Sequence, residues 1–399
     1  MGKMFQLLML SFVCACTERD EVFEASFYEC KSGIASNNLQ HPLANAMDGL
    51  AEDFITKGVP GIMISVRNSE GHYTVSKGKS DLASNVDLKP CNSTRVGSTV
   101  KTFTAVTILK LREEGLLGLD DPISTYLPSA VFKEIANAEK STIRQLLNHS
   151  SGIHNYIQDA RFQTASLNNL IKEWQPGELL AYSRGQNAYF PIGTDVRYSN
   201  TNYILLGMII EAVTGIPFYK VFEEKLFRPL DLGHTSFAAT DPVPDGIIRG
   251  YVDLYSNLNL INATYYSGWD YYSADGGLIS NTSDLSLFME KLFQGEVLSK
   301  TSLSEMMDWI VPNDKDNEGF ETFYGLGIFQ IITDYGPAYL HSGDAIGYFA
   351  SMVYFPNQDI AISWACNANY GKIDAIVQSK VAMERIFNYL VGPNPIPMK

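Results

Sequence analysis

Ser98-Thr99-Val100-Lys101 sets a hydroxyl and an amine three residues apart at the start of a strongly apolar-periodic segment. On a helix that spacing puts both groups on one face, one turn apart, so the amine can accept the hydroxyl proton. The amine must first lose its own proton, and burial favours that. The start of a helix also offers unpaired backbone N–H groups where an oxyanion develops during acyl transfer. Tyr198-Ser199-Asn200 adds a phenol able to relay a proton and an amide able to hold a substrate amide. His341-Ser342-Gly343 closes a predicted strand. Gly343 lets a backbone approach closely, and the next N–H, on Asp344, is placed as a second oxyanion donor beside that of Ser98.

Each motif has a counterpart elsewhere that fails on context. Ser76-Lys77-Gly78-Lys79 repeats the Ser-x-x-Lys spacing in an extended segment, where side chains alternate between faces. Tyr255-Ser256-Asn257 lacks a following amphipathic helix. His149 and His234 read as packing or surface residues. The six histidines are dispersed and no Cys-x-x-Cys accompanies them, so neither a metal nor another cofactor is expected. No G-x-S-x-G elbow of an α/β-hydrolase occurs.

The elements that must carry these residues follow from hydrophobic period. Leu43 to Ile55 recurs at helical spacing, Val59 to Val66 is a continuous apolar run, and Tyr73, Val75 and Lys77 continue an extended pattern. Helical segments follow at Thr99 to Glu114, Thr142 to Asn148 and Asn202 to Val213. Strand runs return at Phe323 to Ile332, Ala338 to His341, Tyr348 to Phe355 and Ile360 to Cys366, before a helical tail from Ile373 to Leu390. The expected architecture is an α/β domain from both chain ends, 41–97 and 272–399, with an inserted helical domain, 98–271.

With 44 Asp+Glu against 30 Lys+Arg, the net charge of -14 argues against nucleic acid as a partner. No stretch reaches the roughly 20 apolar residues of a membrane span. Lys3 followed by the apolar run Met4 to Val13 reads as an export signal over 1–16, with a polar linker over 17–40. Val13-Cys14-Ala15-Cys16 resembles a lipobox, which implies lipidation of Cys16 and a membrane tether; the other reading is a soluble secreted product. In an oxidising compartment Cys30 and Cys91 have the opportunity to pair, whereas Cys366 sits in an apolar run as a buried core residue.

Ser-x-x-Lys, Tyr-x-Asn and His-x-Gly in this order resemble the three signatures of the penicillin-recognising serine hydrolases, the group of class C β-lactamases and D-Ala-D-Ala carboxypeptidases. Leu119-Asp120-Asp121-Pro122, Ser151-Gly152-Ile153 and Gly276-Gly277-Leu278-Ile279-Ser280 are similar to further family segments, and the likeness runs from about Leu43 to Leu390. It implies a β-lactamase/transpeptidase-like α/β fold, an antiparallel sheet flanked by helices plus the helical insertion, with the active site between them. Carried over by position, Ser98 is acylated, Lys101 and Tyr198 exchange its proton, Asn200 holds the acyl amide, and His341, Ser342 and Gly343 shape the pocket. His341 stands where class C β-lactamases carry lysine, as in carboxypeptidases, D-amino-acid peptidases and related esterases. Carboxypeptidases similar at Tyr324-Gly325-Leu326-Gly327 carry an arginine two positions on, and here that position is Phe329. No Lys or Arg lies between Lys315 and Lys372, so a carboxylate clamp must come from Arg184 or Arg249 if it exists. The expected activity is hydrolysis of a small-molecule or peptide amide or ester, a peptidoglycan stem peptide among the candidates. The alternatives are a carboxylesterase and a catalytically inactive cell-wall-binding protein.

Overall fold

A computed structural model describes residues 37–238, 246–266, 273–313 and 319–392. Helix α1 (Ala44–Thr56) buries Met47, Leu50, Ala51 and Phe54, the stripe that its period requires. The hairpin β1 (Gly61–Asn68) and β2 (Gly71–Asp81) follows, with a short β3 (Val86–Asp87) beside it. Five later strands complete the sheet: β4 (Thr322–Tyr324), β5 (Phe329–Thr333), β6 (Gly336–Ala345), β7 (Tyr348–Phe355) and β8 (Ile360–Cys366). Their order is β3-β2-β1-β8-β7-β6-β5-β4, antiparallel at every pairing. The two chain ends therefore meet at the β1/β8 pair in mid-sheet, as the resemblance implied.

Between them run helices α2 (Val100–Glu113), α3 (Asn200–Thr214) and several shorter ones, followed by α4 (Thr282–Phe293), whose buried face includes Leu285, Phe288 and Met289. One large core joins α2 and α3 to the near face of the sheet, and a second lies under α1 and the C-terminal helix Lys380–Leu390 on the far face. The inserted segment also carries two-residue strands; Tyr251–Val252 pairs in parallel with Ala368–Asn369 and ties the insertion to the sheet domain.

Several expectations shift in detail. The run Phe323 to Ile332 divides into β4 and β5 at Gly325-Leu326-Gly327, and Gly327 has the left-handed φ of +70°. An added Cβ there would lie 2.4 Å from that of Ala105 on α2, so strand and helix meet at this glycine. The helical tail breaks at Ser379, which caps Lys380–Leu390 through Ala382 N–H. The linker ends earlier than Gln40, since Asn37 already bridges to His72. Cys366 is buried and free, and burial pushes its thiol up to about 12. Cys91 is disulfide-bonded. Cys16, Cys30 and the export signal lie outside the described residues.

Candidate active site

Gly97 turns the chain with φ +48°, and Gly97–Thr99 forms a single 3₁₀ turn that runs into α2. That turn leaves Ser98 half-exposed while Lys101, one turn on, is fully buried. Lys101 Nζ donates to Ser98 Oγ at 2.9 Å and to the Asp275 carbonyl at 2.5 Å. It also lies 5.1 Å and 5.5 Å from the ring centroids of Tyr198 and Tyr203, contacts that favour a cation.

Tyr198 precedes α3 and comes close to Ser98. Burial drives its ionisation well above the usual phenol range, and the nearby Ser98 hydroxyl offsets this only in part. A residue first read as packing or surface holds it in place: His149, buried at the end of the helix Ile143–Leu147 and left-handed at φ 62°. Its ring lies 4.5 Å from that of Tyr198, its Nδ1 accepts from Ser199 N–H, and its carbonyl accepts from Arg197 N–H. Asn200 opens α3, and its amide nitrogen donates to Asn155 Oδ1 at 3.3 Å, which fixes the amide's orientation.

Strand β6 brings up the opposite wall. Its pairing with β5 ends at Leu340↔Phe329, and among the described residues no strand covers that edge from His341 to Ala345. An added Cβ on Gly343 would lie 2.4 Å from Ser98 N, and one on Gly97 would lie 2.8 Å from Asp344 N. The two predicted oxyanion donors are thereby brought to one place, and only glycine allows that approach. His341 is buried, with Nδ1 bonded to the Ser342 carbonyl and no hydrogen-bond partner for Nε2. Burial and the nearby Lys101 hold its ring down to about 3, so the imidazole is neutral. The Ser342 hydroxyl bonds that of Ser351 at 2.8 Å.

A cavity of about 570 Å³ joins these groups; Ser98, Tyr198, Asn200, His341, Ser342 and Asp344 all line it. Its outer wall is aromatic. Phe329 lies 5.1 Å from His341, 6.2 Å from Tyr198 and 4.9 Å from Tyr324. No Arg or Lys lines it among the described residues. Neither arginine proposed as a clamp does so: Arg184 bonds the carbonyls of Ala130 and Val131, and Arg249 packs near Tyr265. The two decoys stand apart, Ser76 bonded to the Leu88 carbonyl within β2 and Tyr255 exposed on a loop.

His149, Asn155 and Asp275 escaped the sequence reading because their roles come from tertiary contact. The one signal was position: Asp275 directly precedes the family-like Gly276-Gly277, and His149 and Asn155 flank Ser151-Gly152-Ile153.

The Beta-lactamase family model matches residues 43–382. The chain is 28% identical over 305 residues to penicillin-binding protein 4* of Bacillus subtilis (strain 168), covering 74% of this chain and 65% of that one, so it spans less than two thirds of this relative. A D-stereospecific amidohydrolase from Streptomyces sp. superposes with a TM-score of 0.76 at 29% identity, over 88% of this chain and 99% of that one. The D-amino acid amidase of Ochrobactrum anthropi SV3, in complex with L-phenylalanine amide, gives 0.76 at 25% identity, over 88% and 98%.

Proposed function

The chain belongs to the Beta-lactamase family, and from that premise we propose that it is a serine hydrolase acting through an acyl-enzyme on small amides or esters. The observation that carries this reading is the 2.9 Å contact between Lys101 Nζ and Ser98 Oγ at the mouth of the cavity. Ser98 Oγ attacks the substrate carbonyl as its proton passes to Lys101 Nζ. The carbonyl electrons move onto oxygen, which the N–H groups of Ser98 and Asp344 receive. Lys101, once it has lost its own proton, is the first acceptor, since its Nζ lies 2.9 Å from Ser98 Oγ. Tyr198 then relays the proton from the ammonium to the departing amine or alcohol. Water enters by the reverse route and releases the acid.

The substrate class follows from charge. The wall facing Ser98 offers a neutral imidazole and aromatic rings, which do not compensate a free carboxylate. An amide or ester leaving group imposes no such demand, and the amidase and amidohydrolase neighbours support an acyl group of D-configuration. The signal-like run ending at Cys16 supports an exported, lipid-tethered enzyme; loss of lipid labelling in a Cys16→Ser variant is the expected outcome, and unchanged labelling excludes it. The catalytic reading is tested with a fluorophosphonate and a fluorescent penicillin followed by mass mapping of the adduct. Label should map to Ser98 and vanish in Ser98→Ala while persisting in Ser76→Ala; the reverse pattern, or a third site, rejects the assignment.

A further inference from the structure

Asp275 is 2% exposed and lines the cavity that holds Ser98. Its backbone carbonyl accepts from Lys101 Nζ at 2.5 Å. Its carboxyl accepts from Tyr156 Oη at 3.0 Å and, through a short bond, from Ser273 Oγ. Those hydroxyls are themselves buried. Two hydroxyl bonds do not balance a buried negative charge, which is costly unless a cation lies near. Lys101, fully buried on the facing helix, supplies a positive charge that draws the Asp275 carboxyl toward its ionised form.

We propose that Asp275 is the charged partner of Lys101, a positioning residue whose carboxylate determines how firmly Lys101 holds the proton taken from Ser98. The inference rests on the Ser98 and Lys101 assignments above. During acylation the Oγ–H bond breaks, a bond forms from Oγ to the acyl carbon, and Lys101 becomes an ammonium. A carboxylate behind Nζ stabilises that ammonium and so lowers the barrier. In the resting enzyme it also raises the pH at which the amine becomes free to act. Among the other titratable groups around this pair, Tyr198 and Tyr203 are held as phenols and His149 and His341 are held neutral, whereas Asp344, which lines the same cavity, is raised by burial to about 6 and stays in place in the variants compared. Burial and Lys101 act on Asp275 itself in opposite directions, burial toward the acid and the ammonium toward the carboxylate.

The second-order rate of Ser98 labelling by a fluorophosphonate, followed from pH 5 to 10, tests the pairing without knowledge of the substrate. In Asp275→Asn the midpoint of the acid limb should fall by at least about half a pH unit and the plateau rate by about tenfold. Asp275→Ala keeps the carbonyl that binds Nζ and should show the same shift; thermal unfolding of both identifies the variant that is folded at the assay temperature. An acid limb that stays in place, whatever the plateau does, overturns the inference while the nucleophile assignment stands. If the unaltered enzyme takes no label at Ser98, that assignment falls and the pairing falls with it.

Discussion

At the scale of single residues the site holds His149 and His341 as neutral imidazoles and Tyr198 and Tyr203 as phenols, and this has a consequence for stability. His341 takes a proton at about pH 3 when folded, against about 6.5 for a free imidazole. Between those values the unfolded chain binds more protons than the native one, so stability falls as pH falls from about 6.5 and is fully present above it. His149 is depressed in the same direction. Asp275 and Asp344, with values raised from the carboxylate range, act oppositely and favour the fold at low pH. A difference between variants therefore isolates the imidazole: His341→Gln should flatten the decline in Tm between pH 6.5 and 4, recovering on the order of a few kcal/mol at the acid end. An identical decline in both proteins would show that His341 carries a proton in the native state. Ser98 and Tyr198 were legible because each stands at the start of a helical segment, whereas His341 was legible from its motif alone: the strand it was expected to close, β6, runs on to Ala345. Asn155 and His149 were not legible, since a lone Asn or His acquires its role only when a distant segment, here Tyr198 to Asn200, folds against it.

At the scale of elements the catalytic geometry depends on how closely β6 approaches the turn that begins α2. Backbone meets backbone there: a Cβ at Gly343 would lie 2.1 Å from the Val96 carbonyl oxygen and 2.4 Å from Ser98 N, and neither atom can rotate aside. Gly343→Ala should therefore push strand from turn and separate the two oxyanion donors. A loss of about a hundredfold in the Ser98 labelling rate is expected, together with a destabilisation of about 1–3 kcal/mol. Gly115→Ala provides the contrast. Its φ of +76° carries a backbone cost of about 1–2 kcal/mol, but nothing lies within 4 Å of the added carbon. It should lose stability with no change in labelling rate, and equal rates in the two variants would refute the geometric argument. The same contact explains which boundaries the period of the sequence conveyed. Of the continuous apolar strands, β7 and β8 were legible to the residue and β1 to within two residues at each end, whereas β6 extends beyond the expected Ala338 to His341 in both directions. The division of β4 from β5 was not legible, because Gly327 turns there to meet Ala105, and only the packed structure supplies that neighbour.

At the scale of the whole molecule the insertion and the sheet close around Ser98 without contributing a positive charge to the cavity lining among the described residues. The net charge of -14 gives a diffusing carboxylate no compensating long-range attraction. The α/β layering and the helical insertion could both be anticipated from hydrophobic period, since each reflects where the chain buries apolar area. The missing clamp could be anticipated only in part: Phe329 was visible as the wrong residue for it, but the places of Arg184 and Arg249 depend on the folded insertion, where one bonds helix carbonyls and the other packs over the ring of Tyr265. The enzyme should therefore hydrolyse a D-Ala-D-Ala peptide amide and a nitrophenyl ester at least as well as the free acid, judged by kcat/KM. Phe329→Arg sets a guanidinium beside His341 and Tyr324, where it can meet a carboxylate with two parallel hydrogen bonds. That single change should shift the acid-to-amide ratio toward the acid by about tenfold or more, with most of the change in KM if the carboxylate is bound equally in ground and transition states. If the unaltered enzyme already prefers the free acid by more than about a hundredfold, or about 2.7 kcal/mol of transition-state binding, the cleft holds a clamp that its described walls do not reveal, and the amide and ester reading is wrong.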